Sequence, residues 1–185
     1  MFLSVFVAAA MAQAAPSTSS EMLGINVPDE FQVGNRQRND KLEIMELVEP
    51  PETVDNWSRM ITSLVMFNAA QGGMDKFYSL WRNRMRAACP GITDTLSQGT
   101  VDGHPALRGT LSCPKNPQTG KPENLSAFVV QGDANLMMAQ VAFRHPVTPS
   151  DVALIERIAG SLKVCDQRTL DSCSARKATG FRQSQ

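Results

Sequence analysis

Met74, Phe77, Tyr78, Trp81, Met85 and Ala88 recur at spacings of three and four, which predicts an amphipathic helix over Met74–Ala88. Gly72-Gly73 precedes this run and Pro90-Gly91 ends it; Asp75, Lys76, Arg82, Asn83 and Arg86 fall on the opposite, solvated face. Elsewhere the apolar period drops towards two. Phe31–Gly34 reads as a short strand that breaks at the turn pair Gly34-Asn35, and Leu42–Val48 as a second, with a short helix as its alternative. Trp57–Phe67 is a third, rich in β-branched and aromatic residues. Ile92–Gly99, Pro105–Ser112, Leu125–Val130 and Leu136–Phe143 follow, separated by Asp102-Gly103, the polar run Lys115–Glu123, and Gly132-Asp133. Such short connections imply antiparallel neighbours. Thr148-Pro149-Ser150-Asp151 supplies a cap, a proline at the first helical position and an acid near the positive dipole end. The helix it opens should run to Cys165 and bury Val152, Ile155, Ala159 and Leu162. The order β-β-β-α-β-β-β-β-α predicts an α+β domain, an antiparallel sheet flanked by two main helices.

The N-terminus does not fit that pattern. Phe2–Met11 is apolar apart from Ser4, and is followed by small residues in the A-x-A arrangement that signal peptidase requires. About ten apolar residues fall well short of the roughly 20 that span a bilayer, so the segment reads as a cleaved signal and not an anchor. The expected organisation is a signal peptide over 1–14, a flexible linker over 15–26, a single α+β domain over 27–165 and a polar tail over 166–185. A periplasmic or secreted location follows. The four cysteines, all beyond the signal, suit an oxidising compartment. Cys89 sits at a helix end and Cys113 at a strand end, while Cys173 follows Cys165 closely. Of the three possible pairings, Cys89–Cys113 and Cys165–Cys173 are favoured. Zinc is the rival, but the chain has no C-x-x-C and neither His lies near a Cys in sequence. No metal or cofactor is expected.

The charge balance, 18 basic against 18 acidic residues in 185, argues against a nucleic-acid binder. The balance hides a polar layout: residues 21–55 hold nine acids against three bases, and residues 56–90 hold five bases against one acid. Neighbouring in space, these segments would neutralise each other; apart, they would steer a partner. Chemistry is sparse, with 2 His and 1 Tyr. There is no G-x-S-x-G, H-E-x-x-H, P-loop or G-x-G-x-x-G. His104 stands beside a hairpin turn and His145 between a strand and a helix, so either could be a base only if the fold supplied a nucleophile or acid. A Cys113–His104 dyad is conceivable, although a disulfide accounts better for Cys113. Met137 and Met138 fall on opposite sheet faces, and one of them could line an apolar pocket.

The stretch Pro51-Glu52-Thr53-Val54-Asp55-Asn56-Trp57-Ser58-Arg59-Met60-Ile61-Thr62, followed by an amphipathic helix and antiparallel strands, resembles exported proteobacterial proteins. The element order is similar to the PsbP-like αβα sandwich. That resemblance implies a non-catalytic assembly or docking factor and carries no shared catalytic set. The expected function is therefore binding to another envelope protein, through Trp57 and Arg59 on one edge and Arg82 and Arg86 on the first helix. The alternatives are a small hydrolase using His104 or His145 and a carrier of a small apolar ligand. No nucleic acid and no stable membrane insertion are expected.

Overall fold

The computed structural model describes residues 20–166, 173 and 178–184. The expected signal segment 1–14 lies outside the described residues. Ten strands and two helices are described in an α+β arrangement. In chain order they are β1 (Glu21–Gly24), β2 (Gln32–Arg38), β3 (Leu42–Val48), β4 (Arg59–Met66), α1 (Met74–Ala88), β5 (Thr93–Val101) and β6 (His104–Cys113). There follow β7 (Glu123–Gln131), β8 (Leu136–Phe143), α2 (Pro149–Ser161), β9 (Lys163–Asp166) and β10 (Arg182–Gln183). β10, β5, β6, β7, β8, β4, β3 and β2 form one eight-stranded sheet in that spatial order, and β1 pairs with β9 in a second, two-stranded sheet. Every pairing is antiparallel.

The alternation along β4 and β8 divides the core between the two faces of the large sheet. Ile61, Val65, Met137, Val141 and Phe143 pack with Leu154, Ile158 and Leu162 from the α2 region, and with Leu23 of β1 and Val164 of β9. Met60, Leu136, Met138 and Ala142 pack with Met74 and Tyr78 of α1, joined by Phe77, Trp81 and Met85. One face is thus covered by α1. The other is covered by α2 together with the small β1–β9 sheet, where helices alone were expected.

Several sequence expectations need correction. Residues 21–24, inside the expected flexible linker, form β1, because Leu23 gains a buried place beside Val164 of β9 in the core of the α2 face. Phe31–Gly34 does not end at Gly34-Asn35. β2 runs on to Arg38, and the pair marks a bulge between Val33 and Asn35. β3 forms over Leu42–Val48 as the strand expected there, and the helical alternative falls away. β4 begins at Arg59, leaving Trp57 ahead of it. α2 stops at Ser161, so Cys165 belongs to β9, and the inward stripe is Leu154, Ile158 and Ala159, while Val152 is 49% exposed. The tail beyond 166 is not all exposed polar chain. Arg182–Gln183 adds to β5, and Phe181 lies 5.9 Å from Phe128, centroid to centroid. Thr179 Oγ1 donates to Asp102 Oδ1 at 2.6 Å, and Val164 N donates to Asp102 Oδ2 at 2.7 Å, tying this return to the β5–β6 hairpin. Asp102 (φ 52°) and Gly103 (φ 82°) adopt the left-handed pair that a two-residue hairpin turn requires. Both cysteine pairings occur as expected: Cys89–Cys113 with Cα atoms 6.0 Å apart, and Cys165–Cys173 at 5.2 Å.

β1 is also fastened by its first side chain. The Glu21 carboxylate accepts the backbone N–H groups of Asp133 (2.9 Å), Ala134 (3.0 Å) and Asn135 (2.9 Å) in the β7–β8 turn. Burial works to raise its pKa, but these three donors, with His104 nearby, outweigh it and hold the carboxyl below its usual range. A depressed folded-state pKa contributes stability that is present above the unfolded value and lost as pH falls through the folded one. Glu21→Gln should therefore be less stable than the wild type at neutral pH, with the gap in urea midpoint closing as pH drops below about 4.5. A gap that stays constant down to acid pH would count against this role for the charge.

Candidate functional site

On the α2 face, the residues opposite one another across β5, β6 and β7 change character towards one end of the sheet. Ala106 and Val130 give way to Arg108 and Phe128, then to Thr95, Thr110 and Ser126, and finally to Thr93, Ser112 and Asn124 beside Phe143. Hydroxyl and amide side chains stand here in place of the apolar residues Ala106, Phe128 and Val130 further along the same strands. α2 does not close over them. Between its flank and these strands lies an open groove of about 290 Å³, floored by Thr93, Thr95, Thr110, Ser112 and Asn124 and walled by Phe143, Val147 and Ile155. The floor is tied together by Thr95 Oγ1 and Thr110 Oγ1 at 2.5 Å, and by Ser112 Oγ donating to Asn124 Oδ1 at 2.6 Å. Asn124 Nδ2 donates to the His145 carbonyl at 2.9 Å, which joins the floor to the segment leading into α2. Val147 is 46% exposed on the rim.

Asp151 holds the α2 end of this groove. Its carboxylate is fully buried and closes a capping box: Thr148 N donates to Oδ2 at 2.8 Å, and Asp151 N donates to Thr148 Oγ1 at 3.3 Å. Oδ1 forms an ion pair with Arg59 Nε at 3.0 Å. Further along α2, Arg108 reaches Glu156 at 2.7 Å while its guanidinium lies 5.3 Å from the centroid of the Phe128 ring.

The four residues expected to bind a partner do not form one surface. Trp57 is buried on the α1 face, with the Arg144 guanidinium stacked 3.9 Å above its ring. Arg59 points to the other face, between Asp151 and Glu49 (3.5 Å). Arg82 and Arg86 come together on α1, and both close on Asp94 of β5, at 2.6 and 2.5 Å. The Asp94 side chain is only 5% exposed; burial raises its pKa, but the hydrogen bonds from Arg86 and Arg82 prevail and hold it low.

The two histidines lie towards opposite ends of β6. His104 opens that strand, 3.9 Å from Asp133, whereas the His145 carbonyl is held by Asn124, the partner of Ser112 near the far end. A Cys113–His104 dyad is therefore excluded: the two residues occupy opposite ends of one strand, and Cys113 is bonded to Cys89. His145 does sit beside an acid, with Nδ1 3.6 Å from Asp151 Oδ2, but that carboxylate is already committed to the helix cap and to Arg59. Met137 and Met138 point to opposite faces as expected, and each is absorbed into a core cluster. Met22 and Met45 line a pocket of about 180 Å³ under β1, which also contains Arg36 and Glu43 and is not an apolar cavity. Among the described residues no group of three or more His, Cys, Asp or Glu is placed to hold a metal, and no helix is long and apolar enough to cross a membrane.

Sequence reasoning did not find the groove, although its signal was present. Thr93, Thr95 and Ser97, then Thr110 and Ser112, then Asn124 and Ser126, alternate in register and place small polar side chains on one face of three successive strands.

The sequence matches no family model and no curated protein. Among solved structures it is similar to the Ran-binding protein Mog1p of Saccharomyces cerevisiae, at 12% identity and a TM-score of 0.43 over 76% of this chain and 84% of that one. It is also similar to LpqN, involved in cell envelope biogenesis of Mycobacterium tuberculosis, at 13% identity and 0.46 over 82% and 87%. A Pseudomonas aeruginosa protein of unknown function matches at 16% identity and 0.39 over 70% and 80%. Likeness of this degree carries no functional argument.

Proposed function

We propose that this chain is an exported, non-catalytic binding protein of the PsbP-like sandwich kind, which docks onto another envelope protein beside α2. The observation that carries this reading is the open groove, in which Val147 and Ile155 present apolar surface next to a floor of hydroxyl and amide groups, with buried Phe143 behind them. Binding sites commonly combine apolar walls with a few oriented polar groups. The two disulfides suit an oxidising compartment and support export. Against a hydrolase built on His145 stands the commitment of Asp151 to Thr148 and Arg59, which leaves the imidazole without a free carboxylate to orient it.

Site-specific photocrosslinking in the envelope fraction tests the reading. A crosslinker at Val152 should capture a discrete partner that the same group at exposed Lys121, on the β6–β7 loop, does not capture. Identical products from both positions, or none from Val152, would overturn it.

A further inference from the structure

We propose that β5 is a strand-addition edge, which takes an extended segment of the partner protein with apolar side chains on one face and acidic side chains on the other. This rests on the binding reading above and names the chemistry of what binds.

β5 is flanked by β6 on one side and by the two-residue β10 on the other. β10 pairs only with Thr100 and Gly99, and Ser184 N donates to the Gln98 carbonyl at 2.9 Å. Among the described residues no strand continues that line along Thr93–Ser97. Outward-pointing backbone groups alternate along a strand, so those of Leu96 and Asp94 follow that of Gln98. Natural sheets usually blunt an open edge with Lys, Pro or a bulge. The sequence Thr93-Asp94-Thr95-Leu96-Ser97 has neither residue type, its pairing with β6 is regular throughout, and its one charge, Asp94, is turned to the α1 face and held by Arg82 and Arg86.

What flanks the edge sets the specificity. An added residue opposite Thr93 or Thr95 would send its side chain to the α2 face, where the groove and its Val147 and Ile155 wall lie. One opposite Asp94 or Leu96 would send its side chain to the α1 face, beside Arg82 and Arg86, two guanidinium groups that share a single carboxylate. Affinity then comes from main-chain hydrogen bonds and selectivity from the alternating side chains. A second copy of this chain fits less well. Self-pairing of β5 would lay threonines against the threonine-lined groove, leave its apolar wall uncovered, and bring up an Asp94 that its own arginines already hold.

Panning phage-displayed random peptides of about ten residues against the full, disulfide-bonded chain tests the idea. Enriched peptides should alternate apolar with acidic residues, and their binding should protect the Asp94 and Leu96 amides from hydrogen exchange. Leu96→Pro removes an outward N–H and leaves the β6 ladder intact, and Val147→Trp fills the groove from its exposed rim; each should weaken binding by about tenfold or more. The amide protection is read on the unaltered protein, so it stands even if a variant folds poorly. No enrichment, peptides that protect amides elsewhere, or a dimer of the unliganded chain that Leu96→Pro abolishes would each overturn the proposal. Val152 crosslinks that persist after any of these outcomes would leave the broader binding reading in place.

Discussion

Gly109→Val should destabilise the protein by about 2–4 kcal/mol, among the largest effects of any single substitution in the chain. Gly109 lies in β6 between Leu96 and Ala127, on the face covered by α1. A Cβ at this position would come within 2.5 Å of Tyr78 Cε2 and 2.6 Å of Cζ. Tyr78 is 2% exposed and belongs to the core on that face, so the ring cannot swing into solvent without lifting the helix. A glycine inside a strand commonly marks a close approach of this kind. Urea unfolding measures the loss. Tyr78→Ala introduced into Gly109→Val should return part of the lost stability, because the two changes share one space and cannot be additive. A variant within about 1 kcal/mol of wild type would mean that α1 moves away more easily than the packing implies.

Asp151→Ala should cost about 2–3 kcal/mol, and should loosen the groove as well as the helix. The side chain closes the capping box, satisfies Thr148 N and neutralises Arg59, all from a fully buried position. Loss of the cap accounts for about 1 kcal/mol. The remainder comes from stranding the Arg59 guanidinium, only 29% exposed, with Glu49 at 3.5 Å and the Ser150 hydroxyl at 3.1 Å. Asp151→Asn keeps an acceptor for the Thr148 N–H and removes the charge, so its loss should be intermediate. Hydrogen exchange should show faster opening of the first turn of α2 in Asp151→Ala than in Asp151→Asn. Equal opening in the two variants would assign the effect to charge alone.

Thr148, Pro149 and Asp151 were legible in the sequence because capping is local: the groups that satisfy one another lie within three residues. The same holds for the Asp102-Gly103 turn and for the stripe of α1 from Met74 to Met85, although Ala88, expected to continue it, is exposed. β1 was not legible. Four residues carry little periodicity, and their place is set by β9, across pairs such as Met22↔Cys165 that are far apart in the chain. α2 misled in a different way: Val152 and Ile155 fit a helical stripe as well as Leu154 and Ile158 do, and tertiary packing decides which pair faces inward. The binding residues inferred from charge and aromaticity do not share one surface, for a related reason. Sequence shows that Arg82 and Arg86 share a helix face, but not that Asp94 waits on the neighbouring strand. The groove is a negative feature, a place where apolar residues stop, and its meaning emerges only once three strands are aligned.

The strand order of the large sheet has a consequence for how the chain assembles. β2, β3 and β4 are neighbours in sequence and in space, as are β5, β6, β7 and β8. The two meanders meet along a single seam, where Arg59–Met66 pairs with Leu136–Phe143. Each half is built from hairpins and short returns, so between β2 and β8 the long-range loop closure falls on that seam, and the β1–β9 and β10–β5 pairings add closures of their own. α1, the link between the halves, packs against Met60 on one side of the seam and Met138 on the other. The helix is the crossover that brings the halves together, and its side chains seal the join once they have met.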